Sequence, residues 1–198
     1  MHPEIFQAFE KICRERRAGG DVLEVGAVQS EDSLLTMKAL RGARSKTGVN
    51  LTGCGTYCDF RILEANANDL GFPDASFDTV ICNAVLEHDP FFWLSLAEMK
   101  RVARPGGLVV IGVPGFIELP VERAAQRVFR LPVFCRMLRR AGAGLAASTL
   151  TLRTHQYPGD YYRFSPQAML EVFFQGLHDV QVQSLMVPPR VIGGGIKR

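Results

Sequence analysis

The 198-residue sequence predicts an α/β fold, a mostly parallel seven-stranded sheet with helices on both faces. Two observations carry that prediction. Short apolar runs such as Val22-Leu23, Val80-Ile81-Cys82 and 108–113 alternate with stretches of helical periodicity. Several of these runs are apolar throughout, as strands must be when a parallel sheet is covered on both sides. The length suits a single domain over 1–198, with a core that needs neither disulfides nor a metal.

The elements follow in order. Ile5, Phe6, Phe9, Ile12 and Cys13 recur at helical spacing between charged residues and give a first amphipathic helix, ended by Gly19-Gly20. Strand one is 21–26, a short buried run entering a glycine turn; 30–40 reads as a helix and 46–51 as strand two. The glycine- and polar-rich 52–59 offers no obvious crossover helix before strand three at 60–64. Strand four, 77–86, lies between Pro73-Asp74 and Asp89-Pro90. In 91–103, Phe92, Leu94, Leu96, Met99 and Val102 mark a helix that stops at Arg104-Pro105-Gly106-Gly107, before strand five at 108–113. After Pro114-Gly115 the character changes: 116–150 mixes apolar residues with Arg123, Arg127, Arg130, Arg136, Arg139 and Arg140. Ser165 as N-cap and Pro166 at the first position start a helix over 166–174. Strands 178–187 and 190–197, joined at Pro188-Pro189, close the chain.

A formal net charge of +3 is too small to imply nucleic acid, which needs a clustered basic footprint, so none is expected as a partner. Cys13, Cys54, Cys58, Cys82 and Cys135 are odd in number and follow no secretory leader, which reads as reduced thiols in a cytoplasmic protein. Cys54 and Cys58 lack further ligands nearby, so no metal is expected. No apolar run approaches the ~20 residues of a membrane-spanning helix.

Several motifs in order resemble the class I S-adenosylmethionine (SAM)-dependent methyltransferases, the methyltransferase type 11 family in particular. They are Asp21-Val-Leu-Glu-Val-Gly26, Asn66-Ala-Asn-Asp-Leu-Gly-Phe-Pro-Asp-Ala-Ser-Phe-Asp78, Val85-Leu-Glu-His88, and Glu98-Met-Lys-Arg-Val-Ala-Arg-Pro-Gly-Gly107. The resemblance covers about 21–115, with looser agreement from His155 onward, and implies a Rossmann-like class I methyltransferase fold with a helical insertion after strand five. Its cofactor would be SAM and its product S-adenosylhomocysteine (SAH). It implies a cofactor site in which Glu24 anchors the amino end, directly or through water, Gly26 lets backbone approach the ligand, and Asn50 meets the ribose. Asn66 and Ala67 would contact the adenine, and Asn83 would face the methionine portion. This sequence departs from the family at two places: Ala27-Val28-Gln29-Ser30 replaces further loop glycines, and Asn50 replaces an acidic residue.

Methyl transfer is an in-line displacement in which the protein aligns acceptor and methyl group and excludes water. His88 and His155 are the candidate catalytic residues, as base or orienting group, with Asp160 and Tyr161 behind them. His88 reads equally as a loop histidine, and Glu87 as a helix cap more than as a general base. The segment 116–157 is expected to be a lid or substrate insertion, and its basic 116–140 part could touch a membrane surface peripherally. The acceptor is expected to be a small molecule, a sugar or glycan precursor, or a lipid-like compound. A dehydrogenase is disfavoured by Gly26-Ala-Val-Gln-Ser-Glu31, which lacks the G-x-G-x-x-G pattern. The alternative is a non-catalytic methyltransferase-like partner protein with weakened or lost SAM binding.

Overall fold

The computed structural model describes residues 1–116, 159–186 and 189–198. Eight strands form one sheet: β1 (Asp21–Val25), β2 (Ser45–Asn50), β3 (Gly55–Tyr57), β4 (Phe60–Glu64), β5 (Phe77–Asn83), β6 (Ala103–Pro114), β7 (Leu177–Met186) and β8 (Pro189–Lys197). Their spatial order is β3-β4-β2-β1-β5-β6-β8-β7. The inner pairs β1–β2, β1–β5, β2–β4 and β5–β6 are parallel, and β3–β4, β6–β8 and β7–β8 are antiparallel. The chain moves outward from β1 through β2 to β4, then returns to β5 on the other side of β1. Strand order therefore reverses between β1 and β5, and the crevice beyond their carboxyl ends is the natural ligand position in such a sheet.

Side chains alternate across the central strands and build a core on each face. Leu23, Val25, Val80, Cys82, Val109 and Ile111 pack against Leu96, Met99 and Val102 of α2 (Phe92–Val102) and against Met169 and Phe173. Val22, Ile81, Leu108 and Val110 pack on the other face against Ile5, Phe9 and Ile12 of α1 (Pro3–Glu15) and against Leu34, Leu35 and Leu40.

Four expectations need correction. The sheet has eight strands, not seven, because Thr56 and Tyr57 pair with Arg61 and Phe60 across a tight turn in which Cys58 takes the left-handed region (φ +50°). The expected helix over 30–40 is two 3-10 turns, Leu34–Thr36 and Lys38–Leu40, whose leucines are nonetheless buried. Strand five starts early: β6 runs from Ala103 through the Arg104-Pro-Gly-Gly107 breaker. The C-terminal helix is short, α3 (Pro166–Ala168), and continues as a π-helical turn, Met169–Phe173. Its start is as expected, with Ser165 Oγ accepting from Ala168 N at 3.1 Å. The insertion expected over 116–157, apart from Phe116, lies outside the described residues, as does His155. Among the described residues no helix is long and apolar enough to cross a membrane.

Candidate active site

Strand register brings most of the expected cofactor residues into one row. Val25 is opposite Val49 on one side and Cys82 on the other. Gly26, Asn50 and Asn83 thus leave the carboxyl ends of three adjacent strands together. Asn50 is opposite Glu64 in β4, and its carbonyl accepts from Ala65 N at 2.9 Å, which puts Asn66 at the same edge. Asn66 is exposed and Ala67 half-buried against the α2-side core.

The turn after β1 is tightly held. Gly26 N and Ala27 N both donate to Val49 O, at 2.8 and 3.1 Å. Gly26 has φ +86°, and a Cβ there would collide with Cγ2 of Val85. Ala27 is buried, whereas Val28 is 41 % exposed. Asn50 serves this turn directly, because its Nδ2 donates to Ala27 O at 2.9 Å and its Oδ1 accepts from Leu51 N at 2.8 Å. Gln29 ties the loop to the β2–β3 connection by donating to Gly53 O at 2.6 Å.

The Glu24 side chain is turned toward the first 3-10 turn. It is 3 % exposed, and its carboxylate accepts from Ser33 Oγ, from Leu34 N at 3.0 Å and from Leu35 N at 3.3 Å. Both oxygens are engaged by the first 3-10 turn. Burial pushes its pKa up to about 7, against those hydrogen bonds.

Beyond β4, side chains of α2 fix the loop that follows Asn66. Asn66 Oδ1 accepts from Asn68 N at 3.0 Å, and Asn68 Nδ2 donates to Asp89 Oδ2 at 2.7 Å and Ser95 Oγ at 2.8 Å. Glu98 accepts from Leu70 N at 2.9 Å, and Arg101 Nη1 donates to Phe72 O at 2.7 Å and Asp74 Oδ1 at 2.8 Å. The paired motifs 66–78 and 98–107 are thus two halves of one clamp.

At the end of β5 the chain turns through Ala84 (φ +57°) into the 3-10 turn Leu86–His88. His88 Nδ1 contacts Gly159 O, Tyr161 N donates to Glu87 O at 2.7 Å, and Tyr162 Oη donates to Pro90 O at 3.0 Å. His88, Glu87 and Pro90 together hold the segment 159–163 against this turn. The Asp160 side chain is 2 % exposed and pairs with Arg163, whose Nη2 donates to Oδ2 at 2.6 Å, while Tyr161 is 56 % exposed. Phe91, Trp93 and Leu94 add an exposed apolar rim beside it. Sequence reasoning missed the partner that most shapes this corner: Arg190 of β8 donates to Glu87 Oε1 at 3.0 Å. A lone arginine between Pro189 and Val191 carries no sequence signal for that contact.

Two buried oxygens near this edge, Asn83 Oδ1 and Glu87 Oε2, have no hydrogen-bond partner among the described residues. Buried polar atoms are nearly always paired, so unpaired acceptors at a sheet's switch point suit a donor-bearing ligand. Among the described residues no group of His, Cys, Asp and Glu could hold a metal ion.

Residues 26–111 match the family described as "Methyltransferase domain". The demethylmenaquinone methyltransferase of Staphylococcus aureus MRSA252 is 31% identical over 150 residues, covering 66% of this chain and 62% of the relative. That of Lysinibacillus sphaericus is 32% identical over 88 residues, 43% of this chain and 38% of the relative. The chain thus spans less than two thirds of the length of either. Among solved structures, the Burkholderia thailandensis 1,6-didemethyltoxoflavin-N1-methyltransferase, with its bound substrate and SAH, superposes with a TM-score of 0.63 at 17% identity. That likeness covers 97% of this chain and 77% of the other, and it is a likeness of fold.

Proposed function

We propose that this chain, which belongs to the class I SAM-dependent methyltransferases and has their Rossmann-like fold, transfers a methyl group from SAM to a small-molecule acceptor. One observation carries the reading. Gly26, Asn50, Asn66 and Asn83 leave four strands at one edge of the switch point, and Asn83 Oδ1 is buried there without a donor. An acceptor atom in that place suits the ammonium of a methionine moiety, while Gly26 leaves room for close backbone approach. Asn50 would meet the ribose with an amide already committed to Ala27 O, and Asn66 and Ala67 would meet the adenine. The cofactor supplies an electrophilic methyl on sulfur; the protein's part is to hold the acceptor in line and keep water out.

The acceptor we favour is a menaquinone-type ring, a quinol carrying hydroxyl groups. The named activity of the Staphylococcus and Lysinibacillus relatives supports this, as does the exposed apolar rim of Phe91, Trp93, Leu94 and Tyr161 beside His88. His88, held by Gly159 O through Nδ1, acts in this reading as an orienting group at the acceptor side of the crevice.

A second reading rests on Glu24. Its carboxylate already accepts from Ser33, Leu34 and Leu35, and this commitment to its own turn favours a non-catalytic methyltransferase-like partner protein with weakened SAM binding. Incubation of the full chain with methyl-labelled SAM and a reduced short-chain demethylmenaquinone separates the two. Labelled quinol supports the enzyme and its acceptor. Label confined to SAM in a chain that binds SAH rules out this acceptor, and a chain that binds no SAH supports the partner protein.

A further inference from the structure

Glu87 is a buried carboxylate with only half of its hydrogen-bonding capacity used. It is 0 % exposed in the turn directly after β5, two residues beyond the Val85 that packs on Gly26. Oε1 accepts from Arg190 at 3.0 Å, and the His88 Nε2 atom is 4.0 Å from it. Oε2 has no partner among the described residues. A carboxylate oxygen carries lone pairs only, so what completes it must bring a hydrogen.

The position of Glu87 in the sheet says which side of the crevice it serves. Asn50 and Asn66 lie over β2 and β4, on one side of β1. Glu87 follows β5 and is tied to Arg190, which pairs with Pro114 where β6 meets β8, on the other side. A nucleotide-like ligand spread over the β1–β2–β4 half leaves the β5–β6–β8 half to the second substrate. Asp160 cannot substitute for Glu87 there, because Arg163 already engages both its oxygens.

We infer that Glu87 Oε2 receives a hydroxyl or amine hydrogen of the methyl acceptor, making Glu87 a specificity-determining residue that selects donor-bearing neutral or cationic acceptors over carboxylates and phosphates. This rests on the SAM-dependent reading given above. A carboxylate in low dielectric repels an anionic acceptor and strengthens a bond from an N–H or O–H.

Sinefungin provides a test that needs no acceptor, because it is a SAM analogue with a primary amine on carbon in place of the methyl-bearing sulfonium. Calorimetric titration of the full chain compares it with SAH. The wild type is expected to bind sinefungin about tenfold more tightly than SAH, the order of a charge-assisted bond. Glu87→Gln, checked for cooperative unfolding, is expected to keep its SAH affinity and lose that preference. If the preference is unchanged in Glu87→Gln, or absent in the wild type while SAH binds, the assignment of Glu87 is overturned and the cofactor reading stands. If neither ligand binds the wild type, both fall. Should Glu87→Gln fail to fold, the wild-type ratio and the Glu87→Asp variant, in which the carboxylate is retracted and the preference should shrink, decide the matter.

Discussion

Gly26 and Val85 meet across the switch point of the sheet: Val85 Cγ2 occupies the space into which any Cβ on Gly26 would project. The turn after β1 and the turn after β5 are therefore packed on one another, and Gly26 is additionally held at φ +86°. Gly26→Ala meets both obstacles, collision and backbone strain, and is expected to destabilise the fold by about 1–3 kcal/mol. Adding Val85→Ala should recover the collision part and leave the strain. Urea unfolding of the two variants measures each part; full recovery in the double variant would mean that φ imposes no constraint.

Glu24 gives a pH dependence with a defined sign. Its folded pKa, raised by burial to about 7, lies above the ordinary value of 4.5, so the fold favours the protonated acid. Its contribution to stability is fully present below pH 4.5 and is lost as pH rises through the window to about 7. The loss amounts to roughly 3 kcal/mol for a group this buried. Glu24→Gln should flatten the dependence across that window, read as the wild-type-minus-variant difference in unfolding free energy at several pH values. A difference that does not change with pH would contradict the account.

Arg101 holds the loop after Asn66 in place from α2. Besides Phe72 O and Asp74, it donates to Glu98 at 2.6 and 2.8 Å, and Glu98 in turn accepts from Leu70 N. The hydrogen bond from Arg101 holds the Glu98 carboxyl below its usual range. Arg101→Met should raise amide exchange across 70–76 about tenfold while leaving β1 and β5 protected. Uniform loss of protection would show that Arg101 supports the whole fold rather than this loop.

Ala84 sits at φ +57° between Asn83 and Val85, a conformation that favours glycine. Ala84→Gly is expected to change stability by no more than about 1 kcal/mol, in the stabilising direction, since relief of strain opposes the added chain entropy. A fall in thermal midpoint would show that the methyl packs usefully in this turn.

The parallel core of the sheet was legible because β1, β5 and β6 are apolar on both faces, and that pattern has few other uses. The motifs 66–78 and 98–107 were recognisable as text, but not as a clamp, since the contact of Glu98 with Leu70 spans 28 residues. Strand β3 escaped notice because its pairing depends on a left-handed Cys58 inside a glycine- and polar-rich stretch. The 30–40 segment has helical spacing of Leu34, Leu35 and Leu40, yet the buried Glu24 captures Ser33, Leu34 N and Leu35 N and sets 3-10 turns instead. Glu87 was readable as a helix cap or a general base but not as a buried partner of Arg190, which reaches it from 103 residues away.

The central claim, a SAM site at the carboxyl ends of β1, β2, β4 and β5, is tested most directly by calorimetric titration of the full chain with SAH, beside Gly26→Trp. The account predicts saturable one-to-one binding to the wild type and none to Gly26→Trp, in a variant that still unfolds cooperatively. Equal SAH affinity in the two proteins, or no binding by the wild type, would contradict it.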